Sequence, residues 1–281
     1  MLDILNKKNT YIDMSKEVPF VKFRAFDKYE DMLIAGFSTR LGGVSKGHLS
    51  SLNLSFNRGD DREAVLENHK RFANALGYPY ENTVFSTQVH KTRIKSVTME
   101  DAGKGIIKEN DIIDTDGLIT NVKNLPIMTF YADCIPLFFY DPRNEVIGMA
   151  HSGWRGTVQD IAFHMVDKFK KLYNSDPADI IAAVGPGICK DCYEVDINCA
   201  DNFIKKYNDE ELKRIVFYKK EDKFNLDLKE ACRINLLHCG ITEENITVAE
   251  YCTYHNSELF FSHRATNGMR GNLAGVMCLK G

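Results

Sequence analysis

Cysteine and histidine are the side chains best suited to binding a transition metal or attacking a substrate. One of each occupies a telling position in TFYADCIPLFFYDPRNEVIGMAHSGWRGT, residues 129–157. Cys134 and His151 stand at the outer ends of two apolar runs. Between them Asp141-Pro142-Arg143-Asn144 carries proline at the second turn position, flanked by Asp and Asn, a strong turn signal. A regular antiparallel hairpin about that centre pairs Tyr140 with Glu145. Carried outward it pairs Cys134 with His151, with Cβ atoms roughly 4.5–5.5 Å apart on one face. Pro136 cannot donate a ladder bond, so a bulge there would shift the register. A thiol facing an imidazole has three readings: a nucleophile and its base, two ligands of a metal, or a small buried residue beside a hydrogen-bonded core histidine. Two features weigh against the third. Asp133 adjoins Cys134, where a buried charge needs a reason. HSGWRGT places polar groups at a strand-to-helix junction, where free N–H groups attract anions.

A catalytic zinc commonly takes three protein ligands, so a third donor is needed for the second reading. His90, in STQVHKTRI, fits a strand of alternating polar residues and is as readily an exposed strand histidine as a ligand. His69, His164 and His238 fall on helical stretches, where solvent or hydrogen-bonding roles are expected. Cys189 and Cys192, in CKDC, have metal-like spacing but lack a second Cys-x-x-Cys. Cys252 and His255 also resemble a ligand pair. For both pairs packing is the default.

The elements that must position these residues can be read from periodicity. MLIAGFSTR reads as a strand entering the Gly-rich loop RLGGVSKGHLSSLNLS. DDREAVLENHKRFANALG reads as a helix capped by Asp60 or Asp61 and stopped by Gly77. NTVFSTQVHKTRIKSVT has the length and β-branched content of one strand, and DGLITN and LPIMTFYADC read as further strands. GTVQDIAFHMVDKFKKLYN carries an apolar stripe of Ile161, Met165, Val166, Phe169 and Leu172 at helical spacing. After it come the strand DIIAAVGPGI, helices in VDINCADNFIKKYN and LKEACRINLLHCG, and strands ITVAEYC, LFFSH and LAGVMCLKG. The pattern is mixed α/β with several hairpins, without a regular βαβ repeat.

Composition bounds the function. Hydrophobic residues make up 44% and charged residues 27%, the profile of a globular protein. A net charge of −3 offers no broad attraction to nucleic acid or an anionic membrane. No apolar run is long enough to span a bilayer. MLDILNKKNTYIDMSKEV is too polar after Leu5 for a secretory core, which predicts a cytoplasmic protein. The eight cysteines are then expected as thiols or metal ligands. With no linker or repeat in view, residues 1–281 read as one domain.

Seven blocks in order, FSTRLGGVSKGHLSSLNLS, TQVH, DGLIT, ADCIPLFFYD, AHSGWRGT, GPGICKDCYEV and FFSHR, resemble the YfiH-type, or laccase-domain, family. Its members are described as purine nucleoside phosphorylases and formerly as polyphenol oxidases. The resemblance runs from about Phe37 onward. It implies a single layered α-β-β-α domain with mixed sheets, residues 1–30 being an N-terminal extension or edge segment. It also implies zinc held by His90, Cys134 and His151, a donor set that also accepts copper. The implied activity is phosphorolysis of adenosine, inosine and S-methyl-5′-thioadenosine, with adenosine deamination at the same site, by a monomer or small homo-oligomer. Phosphate binding requires guanidinium groups. Arg40 in the Gly-rich loop and Arg155 are the first candidates, with Asn53, Ser38 and His48 as weaker ribose or phosphate contacts. Asp133 is expected to orient a ligand or move a proton, or else to cap a turn. The sequence departs from the family pattern at Lys91, at Arg58 in NRGDD and across SHRATNGMRGN. A metal-free Cys–His hydrolase or deamidase, a copper phenol oxidase and a binding module with a structural zinc remain as alternatives.

Overall fold

The apolar runs on either side of Asp141 form the central hairpin, and the reason lies in the carboxylate. Asp141 is fully buried and accepts the backbone N–H groups of Arg143 and Asn144 at 2.9 and 3.1 Å. Glu145 then adopts φ 49°, which lengthens the loop to four residues. Asp141 therefore pairs with Val146, and Pro136 with His151. This corrects the expected register, in which Cys134 faced His151. The shift is an even one, so the face is preserved and Cys134 approaches His151 diagonally from just beyond the strand end. Pro136 lies near that end and turns its carbonyl to Gly185 N at 2.8 Å.

The computed structural model describes residues 5–281. The chain first forms β1 (Thr10–Asp13), β2 (Phe20–Phe23), α1 (Arg24–Asp27), β3 (Leu33–Ser38) and α2 (Arg62–Leu76). Next are β4 (Val84–Phe85), β5 (Ile94–Ser96), β6 (Gly117–Thr120), β7 (Ile127–Tyr131), β8 (Ile135–Asp141) and β9 (Val146–Ser152). α3 (Trp154–Val158), α4 (Ile161–Tyr173), β10 (Ile181–Val184), β11 (Glu194–Asp196), α5 (Ile197–Ile204) and α6 (Asp209–Ile215) follow. β12 (Val216–Lys220), β13 (Lys223–Leu226), α7 (Leu228–His238), β14 (Ile246–Val248) and β15 (Leu273–Leu279) close the chain.

Two mixed six-stranded sheets result, ordered β1-β2-β3-β15-β7-β4 and β14-β10-β8-β9-β6-β5, with a small sheet β11-β13-β12 beside them. Residues 10–23 thus supply the edge of the first sheet. β8 and β9 are buried along their whole length because both faces are covered. Phe138 and Tyr140 enter the core between the sheets, while Leu137 and Phe139 enter the core beneath α4 and α7. α2 covers the outer face of the first sheet through Phe72 and Ala73. The layers are therefore α-β-β-α. Each fully buried large apolar side chain contributes about 1.5–3 kcal/mol.

Three further expectations change. The predicted strand 82–98 is two strands in different sheets, β4 and β5, and His90 lies in the crossing between them with φ 61°. The helix after Trp154 breaks at Asp160, which takes φ 59°, and Leu172 is exposed on α4. LFFSH forms no strand. Asn256 O accepts both Leu259 N and Phe260 N, and these turns bury Phe260 and Phe261 without strand alternation. The α2 helix does form as expected, capped by Asp61 and ended by Gly77 at φ 84°.

Candidate metal centre and cavity

The chain crosses from the first sheet to the second between β4 and β5 and again between β7 and β8. These crossings carry His90 and Cys134, and β9 brings His151 to the same place. One donor atom from each of the three lies within 4.8 Å of the others. The two imidazoles meet edge-on, ring centroids 4.7 Å apart. Gly153 permits this closeness: a Cβ there would lie 3.0 Å from His90 Cδ2 and 3.1 Å from Cys134 Sγ.

The crossing that carries His90 is fixed by side chains. Gln88 imitates a strand, accepting Phe130 N at 2.7 Å and donating to Phe130 O at 3.0 Å. The N–H groups of Val89, His90 and Lys91 then converge on the Asp116 carboxylate at 2.9–3.0 Å. Asp116 Oδ1 also meets His151 Nδ1 at 2.9 Å. One buried carboxylate therefore sets both the loop of the first histidine and the ring of the second, which leaves His151 Nε2 for a metal, as in a carboxylate–histidine–metal relay. Burial alone would raise the Asp116 carboxyl, but hydrogen bonds from His151 and the loop amides hold it below the usual carboxylate range. For Cys134 burial opposes ionisation; His151 and hydrogen bonds from both histidines overcome it, so the thiol is pushed down. Burial likewise opposes protonation of His151, and the Cys134 thiolate and Asp116 reverse that. The site is thus poised for a thiolate, the form in which cysteine binds metal. These donors fit zinc, and they fit copper by the same softness argument.

Asp133 adjoins the centre at φ 84°. Its oxygens accept Thr253 Oγ1 at 2.6 Å and Arg264 N at 2.7 Å, tying the β7–β8 crossing to the C-terminal loop. A cavity of about 760 Å³ opens beside the three donors, within the range of small-molecule sites. Arg58, Arg62, Arg264 and Arg270 line it together with aromatic rings that include Phe130 and Tyr193. Among the described residues none of these four arginines forms an ion pair with a carboxylate. Arg270 is buried and its Nε has no partner. Burial and the repelling charge of Arg58 push its guanidinium down to about 10.

The other expected contacts lie elsewhere. Arg40 spends its guanidinium on Ser50 O and Ser257 O and stacks on Phe261, so it clamps the Gly-rich loop and lines no part of the cavity. Arg155 is exposed and stacks on Trp154. Asn53 is buried; its amide holds Ser55, Asp60 and Asn272. Ser38 Oγ accepts Ala274 N, and His48 is exposed on a short turn. Asp116 escaped the sequence reading although DGLIT contains it. Its signal was a carboxylate directly ahead of an apolar strand. Arg58 and Arg270 were visible only as departures from the family pattern.

The chain belongs to the multi-copper polyphenol oxidoreductase laccase family, whose model matches residues 34–280. It is 36% identical over 249 residues to the purine nucleoside phosphorylase YlmD of Bacillus subtilis, covering 88% of this chain and 89% of that protein. The protein of the same name from Geobacillus stearothermophilus is 38% identical over 241 residues, covering 85% and 88%. The crystal structure of the Bacillus licheniformis hypothetical protein YfiH superposes with a TM-score of 0.90 at 35% identity, covering 96% of this chain and 99% of that one. The Geobacillus stearothermophilus YlmD structure gives 0.88 at 33% identity, covering 99% and 100%. Among the described residues no helix is long and apolar enough to cross a membrane.

Proposed function

We propose that this protein is a zinc-dependent purine nucleoside phosphorylase acting on adenosine, inosine and S-methyl-5′-thioadenosine, with adenosine deaminase side activity. The observation that carries this reading is a three-donor metal set opening onto a cavity lined by arginines that lack carboxylate partners. The relatives named as purine nucleoside phosphorylases support it. In phosphorolysis a phosphate oxygen bonds to C1′ while the C1′–N bond breaks. The electron pair leaves with the purine, which takes up a proton. Arg58 and Arg270 hold the phosphate, whose charge relieves the repulsion between them. The aromatic lining accommodates the purine. Asp133 acts by position, holding the Cys134 turn against Arg264. His90, Cys134 and His151 hold zinc, which when bound supplies a Lewis acid able to lower the pKa of water to roughly 7. Copper is the other metal these donors accept. Eight unbridged cysteines suit a cytoplasmic protein, working as a monomer or small homo-oligomer.

The test is metal-defined. Zinc-loaded protein should release adenine from adenosine and hypoxanthine from inosine only when phosphate is present, with ribose 1-phosphate as co-product. Zinc-loaded protein that releases no base from any purine nucleoside refutes the reading. A second reading, a Cys134–His151 hydrolase, draws on the depressed thiol. It requires activity that survives chelation and is abolished by alkylation of Cys134.

A further inference from the structure

Packing was the expectation for Cys189, Cys192, Cys252 and His255, but the structure brings the two pairs together. β10 and β14 run parallel, with Ala182 beside Ile246 and Val184 beside Val248. The chains stay abreast beyond the strands: Ala249 N donates to Val184 O, Gly187 bridges to Cys252, and Thr253 N donates to Gly187 O. A Cys-x-x-Cys turn on one chain and a Cys-x-x-His turn on the other thus arrive at one point. One donor atom from each of the four residues lies within 4.8 Å of the others. His255 Nε2 is 3.0 Å from Cys192 Sγ, and His255 Nδ1 is 3.8 Å from Cys189 Sγ. Tetrahedral zinc with sulfur at about 2.3 Å and nitrogen at about 2.0 Å requires donor separations of roughly 3.5–3.8 Å.

Packing explains this cluster poorly, since only Cys252 is buried and His255 is exposed. Two further contacts tie the cluster to its surroundings. Cys189 N points at Cys252 Sγ at 3.3 Å, placing a backbone donor on a sulfur. The buried ammonium of Lys229 donates to Ala249 O and Tyr251 O, immediately before Cys252, and so places a positive charge behind the cluster. Three thiolates around a divalent ion leave one net negative charge for it to balance.

We propose that Cys189, Cys192, Cys252 and His255 bind a second zinc ion in a closed Cys3His site, separate from the His90–Cys134–His151 centre. Its four protein donors make it structural. It fastens the cavity wall: Ile188 and Tyr193 line the cavity on either side of the Cys-x-x-Cys turn, and Thr253, next to Cys252, holds Asp133. The site is independent of the reaction catalysed.

The experiment is metal counting on full-length protein purified under reductant without chelator. Two zinc ions per chain are expected in the parent protein and one in the double variant His90→Ala/Cys134→Ser. Cys189→Ser/Cys192→Ser should also keep one. Under cobalt substitution this site contributes three of the four metal-bound thiolates, so that second variant should lose about three-quarters of the thiolate-to-cobalt absorption. If it fails to fold, the first two counts decide alone. One zinc in the parent and none in His90→Ala/Cys134→Ser would overturn the proposal, as would a Cys189–Cys192 disulfide in the reduced preparation.

Discussion

Replacing Asp116 by Asn tests the geometry of the centre most directly, because the change is nearly isosteric and touches no metal ligand atom. Asp116 Oδ1 serves His90 N and His151 Nδ1, and Oδ2 serves Val89 N and Lys91 N. An amide offers one oxygen and one NH2. Whichever way it turns, two of the four donors face another donor. The loop hydrogen bonds are only part-buried, so losing two at about 0.5–1.5 kcal/mol each should cost the folded state about 1–3 kcal/mol. Part of that loss falls on the metal, because either the His90 loop or the His151 ring is no longer held. Removing such an outer partner typically weakens binding by about 10- to 100-fold. The assay is a competition titration of zinc against a chromophoric chelator, paired with urea unfolding of metal-free protein. Asp111→Asn, an exposed carboxylate, is the control. Zinc affinity and unfolding free energy both equal to the parent's would refute the claim that one carboxylate organises the site.

Gly153→Ala should weaken zinc binding by about 1–3 kcal/mol, the cost of overpacking, since the new methyl would crowd His90 and Cys134 at 3.0 and 3.1 Å, closer than ordinary van der Waals contact; the same titration reads it. Arg270→Ala should raise the KM for phosphate by about 10- to 100-fold, the loss of a charged hydrogen bond, with little change in the nucleoside KM. Initial rates with each substrate varied in turn separate the two. His69 is buried, donates from Nε2 to Leu54 O at 2.8 Å and leaves Nδ1 without a partner. Burial pushes its pKa down to about 4, below the ordinary 6.5. The unfolded chain therefore binds the extra proton first. Stability is complete above about pH 6.5 and falls by about 3 kcal/mol as pH drops toward 4. Urea unfolding at pH 7.5 and 4.5 should show a smaller loss in His69→Gln than in the parent.

Local patterns made much of the fold legible. The Asp61 cap, the Gly77 stop and the apolar stripe of α4 lie within one element, and so does the turn that joins β8 to β9. Long-range pairing was out of reach. Nothing near residue 90 indicates that β4 and β5 belong to different sheets, or that the crossing hangs on Asp116. The hairpin register missed because Asp141 captures the loop amides and Glu145 turns left-handed. Arg40 misled because a Gly-rich loop that needs a clamp resembles one that needs a phosphate. The Cys189–Cys192 and Cys252–His255 pairs read as two separate pairs because parallel β10 and β14 leave no local trace of their alignment.

Two of the three candidate metal donors, His90 and Cys134, ride on crossings between the sheets. Neither sheet alone can assemble the set, so a chain in which only one has formed offers the ion at most a fragment of a site. A metal bound there would report completed docking, and by mass action it would favour that state, by about 2.7 kcal/mol when the free ion is 100 times its dissociation constant. Loading would discriminate between finished and half-assembled molecules during synthesis. A variant damaged far from the cavity, at the β15 seam for instance, should show itself as metal deficiency before any loss of secondary structure.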